Sequence, residues 1–433
     1  MDVNSMQWIV KRSTLTGTIE IPPSKSHTLR AILFALMAKG KSTIRHFLAS
    51  PDSEAMIKAV VSFGAKVSRF PDHLEIEGLG GNLKCAEDVI DCQNSGQVLR
   101  FIGAISSLTD RYTILTGDQS IRHNRPILPL LQALEKLDAM AVSSRLDGYA
   151  PIIIKGPLRP GKTSLNGQDS QPVSGLLIAL SFAKGASIVD VQHPGEKPWI
   201  DLTLSWFDRL GIKYKNDNYE RYELAGNASY NGFNVEIPGD FSTSAFPIAA
   251  AILSGSEVTL KNLDRRDVQG DKKFIHVLKK MGALIEEVED GLQVKKGSTL
   301  KGMKIDVNDF IDSVPILAVL GCFAEGKTEI VNAAIARQKE CDRLHAITTE
   351  LKKMGANIEE KEDSLIIHPS KLKGAKLHTY HDHRMVMALT VAAMQAEGES
   401  VIEGVDAVKK TYPSFLEDFN KLGARIEPDF IRI

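Results

Sequence analysis

The residues best suited to chemistry are cations placed where helices begin. They are Lys25 and Arg30 in PPSKSHTLRA, Arg100 in CQNSGQVLRF, Arg125 in RHNRP, Lys339 and Arg343 in RQKECDR, Arg384 in HDHR and Lys410 in VKKTY. A helix N-terminus carries a partial positive charge and unpaired N–H groups, so it attracts anions and repels cations. Cations gathered there call for a negative partner, and phosphate or carboxylate groups of a ligand would serve. Arg125, Arg343 and Arg384 suit bidentate grips on such groups, whereas Lys25 and Lys410 suit point-charge contacts. Two carboxylates could move protons: Asp312 in FIDSVPILAVL and Glu340 in RQKECDR. Asp312 could equally be an ordinary helix N-cap. On a helix, Lys339 and Arg343 would share one face at i and i+4, with Glu340 adjacent, although a charge run of this kind is usually a solvated face.

These residues must be positioned by elements that recur about every 70 residues. A helix end followed by a turn residue and an extended charged segment occurs as SFGAKV, KLDAMAV, RLGIKY, KMGALI, KMGANI and KLGARI. The turn residues Gly64, Gly211, Gly282, Gly355 and Gly423 suit the left-handed residue that ends a helix, and Asp138 in the second copy tolerates that conformation. A second helix per repeat is apolar nearly all round, as in VSGLLIALSFAKG and VPILAVLGCFAEG, which means burial on most sides. Polar residues precede each of these buried helices: PSKSH, CQNS, GQDSQ, PGDFSTS, FIDS and HDHR. Capping accounts for their Ser, Asp and Asn, but not for Lys25, Gln171, His383 or Arg384.

Six equivalent units predict a βα-type fold in two lobes of three repeats, each with buried helices inside and a sheet outside. The length, 433 residues, also favours two cores. A break near Val235–Asp240 divides the repeats three and three, so helix N-termini could converge in a cleft between lobes. The formal net charge of -1 gives no global field for nucleic acid or an anionic membrane, so any anion site must be local. The four cysteines, Cys85, Cys92, Cys322 and Cys341, lack zinc-site spacing and read as reduced, partly buried thiols. No leader pattern or membrane-spanning run appears, which predicts a soluble, cytoplasmic chain. There is no P-loop or GxGxxG frame, and the i, i+2 spacing of His381 and His383 is a weak metal signal.

Taken together, PPSKSHTLRA, CQNSGQVLRF, LTGDQSIRHNRPI, DGYAPI, QDSQPVSGLLIAL, PGDFSTSAF, RQKECDR, HDHRMVMAL and KKTYPSF resemble the 5-enolpyruvylshikimate-3-phosphate synthase family, in order and spacing, from about residue 7 to 420. The resemblance implies a two-lobed inside-out α/β barrel of six βαβαββ repeats, three per lobe. One lobe would comprise residues 24–238 and the other 1–23 with 239–433, with crossovers near 22–24 and 238–240. It implies transfer of the enolpyruvyl group of phosphoenolpyruvate to the 5-hydroxyl of shikimate 3-phosphate through a tetrahedral intermediate, without metal or organic cofactor. It also implies competition of glyphosate with phosphoenolpyruvate, small anionic substrates as partners without nucleic acid or membrane, and a monomer. By motif, Lys25, Asn94, Gly96, Arg125, Gln171, Arg343, Arg384 and Lys410 would hold phosphoenolpyruvate. Lys25, Ser26, Arg30, Asp169, Ser170, Gln171, Asp312 and Lys339 would hold shikimate 3-phosphate. Glu340 would move the methylene proton and Asp312 the hydroxyl proton, with Lys25 assisting.

Four residues depart from the commoner family pattern: Asp169, Glu196, Trp199 and Ile335. Asp169 and Glu196 beside a phosphate dianion would be repulsive unless turned away. The sister transferase acting on UDP-N-acetylglucosamine places a reactive Cys in the loop that here reads LTGDQSIRHNRP, and has Lys-Asn where this chain has Lys25-Ser26. A non-catalytic phosphometabolite-binding protein would not require both Asp312 and Glu340. Because the cation clusters fall in different sets of repeats, ligand binding is expected to favour a closed form.

Overall fold

The computed structural model describes residues 5–431; the first four and last two residues, which the expected 1–23 and 239–433 lobe includes, lie outside the described residues. The chain separates into two compact units, one of residues 23–238 and one formed by the segments on either side of it. Among the described residues there are six four-stranded sheets, three in each unit, and all six are built alike. A parallel pair is followed by two antiparallel strands, as where Lys162–Asn166 lies parallel to Ser187–Gln192, which pairs antiparallel with Arg221–Leu224 and through it with Tyr214–Asp217.

In the 23–238 unit, the helices Lys25–Met37, Gly96–Ser106 and Ser170–Ser181 are buried at almost every position. The amphipathic helices Pro51–Ser62, Leu128–Glu135 and Lys197–Leu210 bury one face only. Gly96–Ser106 packs along Ser170–Ser181, and Lys25–Met37 packs on Pro51–Ser62. In the other unit the buried helices are Phe241–Leu253, Val314–Phe323 and His383–Ala393, each in contact with the other two. Its amphipathic helices are Lys272–Met281, Arg343–Lys353 and Phe415–Lys421. Each unit has one apolar core, and alternating burial along strands such as Thr328–Val331 and Ser400–Glu403 feeds it.

The repeat signal has its physical counterpart at the helix ends. Gly64, Gly211, Gly282, Gly355 and Gly423 all have positive φ between 69° and 109°, and Asp138 takes the same role at φ 61°. The strand exchange is what the repeat could not show. The start of the chain supplies two strands to the discontinuous unit: Thr16–Glu20 pairs parallel with Glu257–Lys261, and Ser5–Lys11 lies between Ser400–Glu403 and Arg425–Ile431. The last strand before the second crossover, Asn234–Glu236, turns back to complete the first sheet of the 23–238 unit beside Lys39–Arg45. The crossing segments thus supply strands that the sheets of each unit would otherwise lack.

Five of the six buried helices are capped by a side chain: Ser24, Ser95, Asp169, Asp240 and Asp382 each accept a backbone N–H of the first turn. The sixth differs. Val314–Phe323 is entered through a 3-10 segment, Asn308–Ser313, and its N-cap residue Ser313 makes no side-chain cap. Asp312 is therefore not a cap, and its carboxylate is released for other work.

Candidate active site

In the discontinuous unit, the predicted residues gather on one guanidinium. Arg343 is 1% exposed and donates through Nε to Asp382 Oδ2 at 2.7 Å, through Nη1 to Asp312 Oδ1 at 2.6 Å and through Nη2 to Glu340 Oε2 at 2.8 Å. A further bond from Nη2 reaches Asp382 Oδ1 at 3.2 Å, so four of the five N–H donors of an arginine are engaged by protein carboxylates. Arg384 Nη2 lies 3.1 Å from the other oxygen of Asp312, and Lys410 Nζ lies 2.8 Å from Glu340 Oε1. Burial by itself would raise the Asp312 carboxyl, but Arg384, Arg343 and Lys339 outweigh it and hold the group well below the usual carboxylate range.

RQKECDR is not the solvated helical face that a charge run suggests. Its helix begins only at Arg343, with Asp342 as the N-cap, while Lys339 follows a 3-10 turn over Ala334–Gln338. Lys339 and Arg343 therefore do not share a helix face at i and i+4. The turn instead carries Lys339, Glu340 and Arg343 inward, where all three are buried. Asp382 was legible only as part of HDHR; as the cap of His383–Ala393 and the main partner of Arg343 it joins two repeats. Asp382, Glu340 and His383 bring potential metal-ligand atoms within 4.8 Å of one another, but both carboxylates already face Arg343 or Lys410, which balance their charge.

A further buried acid lies in this unit. Asp271 accepts from Ser242 Oγ at 2.6 Å, and its carboxyl is pushed up to about 8, first by burial and then by the charge of Asp312. Its neighbour Gln269 accepts the Phe241 N–H and donates to Gly239 O, which clamps the start of Phe241–Leu253 to the second crossover.

In the 23–238 unit, Lys25 begins its helix with Nζ 3.5 Å from Asp52 Oδ2. Asp52 is 3% exposed and also accepts from Ser95 Oγ at 3.0 Å, so it ties three helix starts together. The sequence signal for it, SPDSE, is that of an ordinary capped helix start, which is why it passed unnoticed. A Cβ at Gly96 would stand 2.3 Å from Arg125 Nη2 and 2.5 Å from Arg100 Nη1, so any side chain there would displace those groups. The lack of a side chain lets two buried guanidinium groups lie across the start of Gly96–Ser106. Asn94 donates to Asp118 at 2.6 Å.

Arg30 is buried among neutral groups. It donates to Thr203 Oγ1 through Nε and Nη2 at 3.0 and 2.9 Å, to Ser26 O at 3.2 Å and to Trp199 O at 3.2 Å, and it lies over the Phe101 ring. Burial pulls its guanidinium down to about 9. Asp169 and Glu196 turn toward the protein. Asp169 accepts the Gln171 N–H and lies 3.3 Å from Arg100, while Glu196 accepts both the N–H and the hydroxyl of Ser170. The side-chain oxygen of Gln171 is buried without a hydrogen-bond partner. Trp199 contributes its backbone carbonyl to Arg30, and Ile335 packs in the apolar core. Cys92, Cys322 and Cys341 are buried free thiols, whereas Cys85 is exposed.

Two units of three four-stranded sheets around buried helices are a fold shared with solved enolpyruvyl transferases. The enolpyruvyl transferase NikO from Streptomyces tendae shares this fold at TM-score 0.80 and 17% identity, covering 99% of this chain and 100% of that one. EPSP synthase from Acinetobacter baumannii superposes at TM-score 0.81 with 26% identity, covering 99% of this chain and 100% of that chain. Residues 9–419 match the profile of EPSP synthase (3-phosphoshikimate 1-carboxyvinyltransferase). The 3-phosphoshikimate 1-carboxyvinyltransferase of Acetivibrio thermocellus is 43% identical over 96% of this chain and 98% of its own, and that of Methanocaldococcus jannaschii 44% identical over 97% and 98%. The chain belongs to the EPSP synthase family.

Proposed function

We propose that enolpyruvyl transfer from phosphoenolpyruvate to the 5-hydroxyl of shikimate 3-phosphate is carried in this chain by Lys25, Asp312 and Glu340. Membership of the family makes the chain a carboxyvinyl transferase of the shikimate pathway; the roles of its individual residues are our reading. The observation that supports them most is the single guanidinium of Arg343 contacted by Asp312, Glu340 and Asp382 at 2.6–2.8 Å.

The chemistry asks for a proton at the methylene carbon of phosphoenolpyruvate, addition of the 5-hydroxyl at C2, loss of phosphate and return of the methyl proton. Asp312 is kept ionised by its arginines and is therefore free of a proton of its own when the hydroxyl proton leaves; substrate anions that draw Arg343 and Arg384 away from it would raise its basicity toward that task. Glu340, with Lys410 on one oxygen and Arg343 on the other, suits the methylene proton in both directions. Lys25, Arg125, Arg384 and Lys410 oppose the charge of the departing phosphate, with Asn94, Gly96 and Gln171 completing the phosphoenolpyruvate contacts. Ser26, Arg30, Asp169, Ser170, Gln171 and Lys339 are assigned to shikimate 3-phosphate. The same reading places the enzyme in the cytoplasm as a monomer that takes small anionic substrates.

Among the described residues no helix is long and apolar enough to cross a membrane. A coupled phosphate-release assay with phosphoenolpyruvate tests the reading: release should require shikimate 3-phosphate and should not occur with UDP-N-acetylglucosamine. The opposite preference would overturn it.

A further inference from the structure

The donors at the start of Ser170–Ser181 are already taken inside the 23–238 unit. The backbone N–H and the hydroxyl of Ser170 both donate to one oxygen of Glu196, at 3.0 and 3.1 Å. Glu196 is only 1% exposed, so this carboxylate is an interior feature rather than a surface side chain passing by. Its backbone is unusual as well. Glu196 sits in the left-handed region at φ 46°, ψ 39°, immediately before the Lys197–Leu210 helix. A glutamate gains nothing locally from that conformation, and non-glycine residues are held there only when surrounding contacts impose it. Here the carboxylate meets Ser170. The adjacent acid is committed elsewhere, with Asp169 capping the helix through Gln171 N–H and lying against Arg100.

We propose that Glu196 is an internal occupant of the shikimate-phosphate subsite, holding the two Ser170 donors until the 3-phosphate of the substrate takes them. The inference rests on the assignment of Ser170 to that phosphate in the preceding subsection. Each Ser170 donor has one proton, so carboxylate and phosphate cannot both receive a full hydrogen bond from it. A carboxylate beside a phosphate dianion is also repelled in a buried setting. Binding therefore includes an exchange: Glu196 leaves Ser170, and the phosphate replaces it. The exchange lowers the apparent affinity for the phosphorylated substrate. A 3-hydroxyl that leaves Glu196 on Ser170 bears no such cost, so Glu196 tunes affinity for the phosphate-bearing substrate.

The test is calorimetric titration of shikimate 3-phosphate into the full chain without phosphoenolpyruvate, for wild type, Glu196→Ser and Glu196→Gln. Glu196→Ser should bind more tightly by about tenfold or more, a tenfold change being the smallest that separates clearly from side-chain repacking. Glu196→Gln should gain less, because its amide oxygen still accepts from Ser170 while the charge is gone. Unphosphorylated shikimate should show no gain with either variant, and KM for phosphoenolpyruvate should not move with KM for shikimate 3-phosphate. Equal or weaker binding by a folded Glu196→Ser protein would overturn the proposal and make Glu196 a ligand contact or a structural brace. Should Glu196→Ser not fold, Glu196→Gln decides by the same criterion. Wild-type protein that binds shikimate 3-phosphate but releases no phosphate would sink the catalytic reading and leave the titration result standing.

Discussion

The two units solve one electrostatic problem in different ways. In residues 239–433 the buried cations carry their counter-charges with them: Arg343 faces Asp382, Asp312 and Glu340, Arg384 faces Asp312, and Lys410 faces Glu340. In residues 23–238 the balance is partial: Lys25 has Asp52 at 3.5 Å and Arg100 has Asp169 at 3.3 Å, but Arg30 is surrounded by hydroxyl and carbonyl oxygens, and Arg125 lies across Gly96. The difference teaches that a cation at a helix start is not by itself evidence of a missing ligand. Part of the negative charge that the sequence seemed to lack is supplied by the protein, and in the discontinuous unit two of the supplying carboxylates, Asp312 and Glu340, are those we propose for proton transfer.

That contrast can be broken most directly at Lys25. Lys25→Met should lower kcat/KM by about 10³-fold, a loss of roughly 4 kcal/mol of transition-state stabilisation, while the melting temperature stays close to wild type; near-normal turnover would remove Lys25 from the chemistry. Glu340→Ala should lower kcat by about 10²–10³-fold, in the range of a lost acid/base group. A change confined to KM would refute its proton role.

Stability then separates the two arginines. Arg343→Lys keeps the charge but leaves three carboxylates, two of them buried, short of hydrogen-bond donors and should cost about 3–5 kcal/mol in urea unfolding, as for two lost hydrogen bonds to charged groups. Arg30→Lys loses mainly hydrogen bonds to neutral groups and should cost about 1–2 kcal/mol. Equal costs would mean that the counter-charge contrast carries no energetic weight.

A further expected effect is in pH dependence, and it has opposite signs for two neighbouring acids. Asp271 has a folded-state carboxyl raised from 3.8 to about 8, so its contribution to stability is whole below 3.8 and is lost as pH rises through about 8. Asp312 is depressed, so its contribution is present above the ordinary carboxylate range and is lost as pH falls below it. Asp271→Asn should therefore gain melting temperature relative to wild type as pH rises from 3.8 to about 8. A gap that does not change with pH would show that Asp271 titrates normally.

Much of this was legible in the chain. The turn residues that end the amphipathic helices stood out because left-handed backbone favours Gly and tolerates Asp, and the buried helices stood out because nothing polar interrupts them. Lys25, Arg125, Arg343, Arg384 and Lys410 were visible as charges in the wrong place. Asp52 and Asp271 were not, since an acid in or beside the first turn of a helix looks like ordinary dipole compensation. Glu196 was visible as a misfit, but nothing local to GEKPWID says that its carboxylate reaches back to Ser170.

The sequence alone determined the repeat, the buried helices and the list of charged groups near their starts, because periodicity, helix ends and burial are written in neighbouring residues. Only the tertiary structure decided how those charges are balanced. Asp382 meets Arg343 from 39 residues away, Asp312 meets Arg384 from 72, and Glu196 meets Ser170 from 26. Ser5–Lys11 meets the strand Arg425–Ile431 at the far end of the chain. Such pairings depend on which helix starts and strand edges packing brings together, and a buried charge takes whichever partner that packing provides.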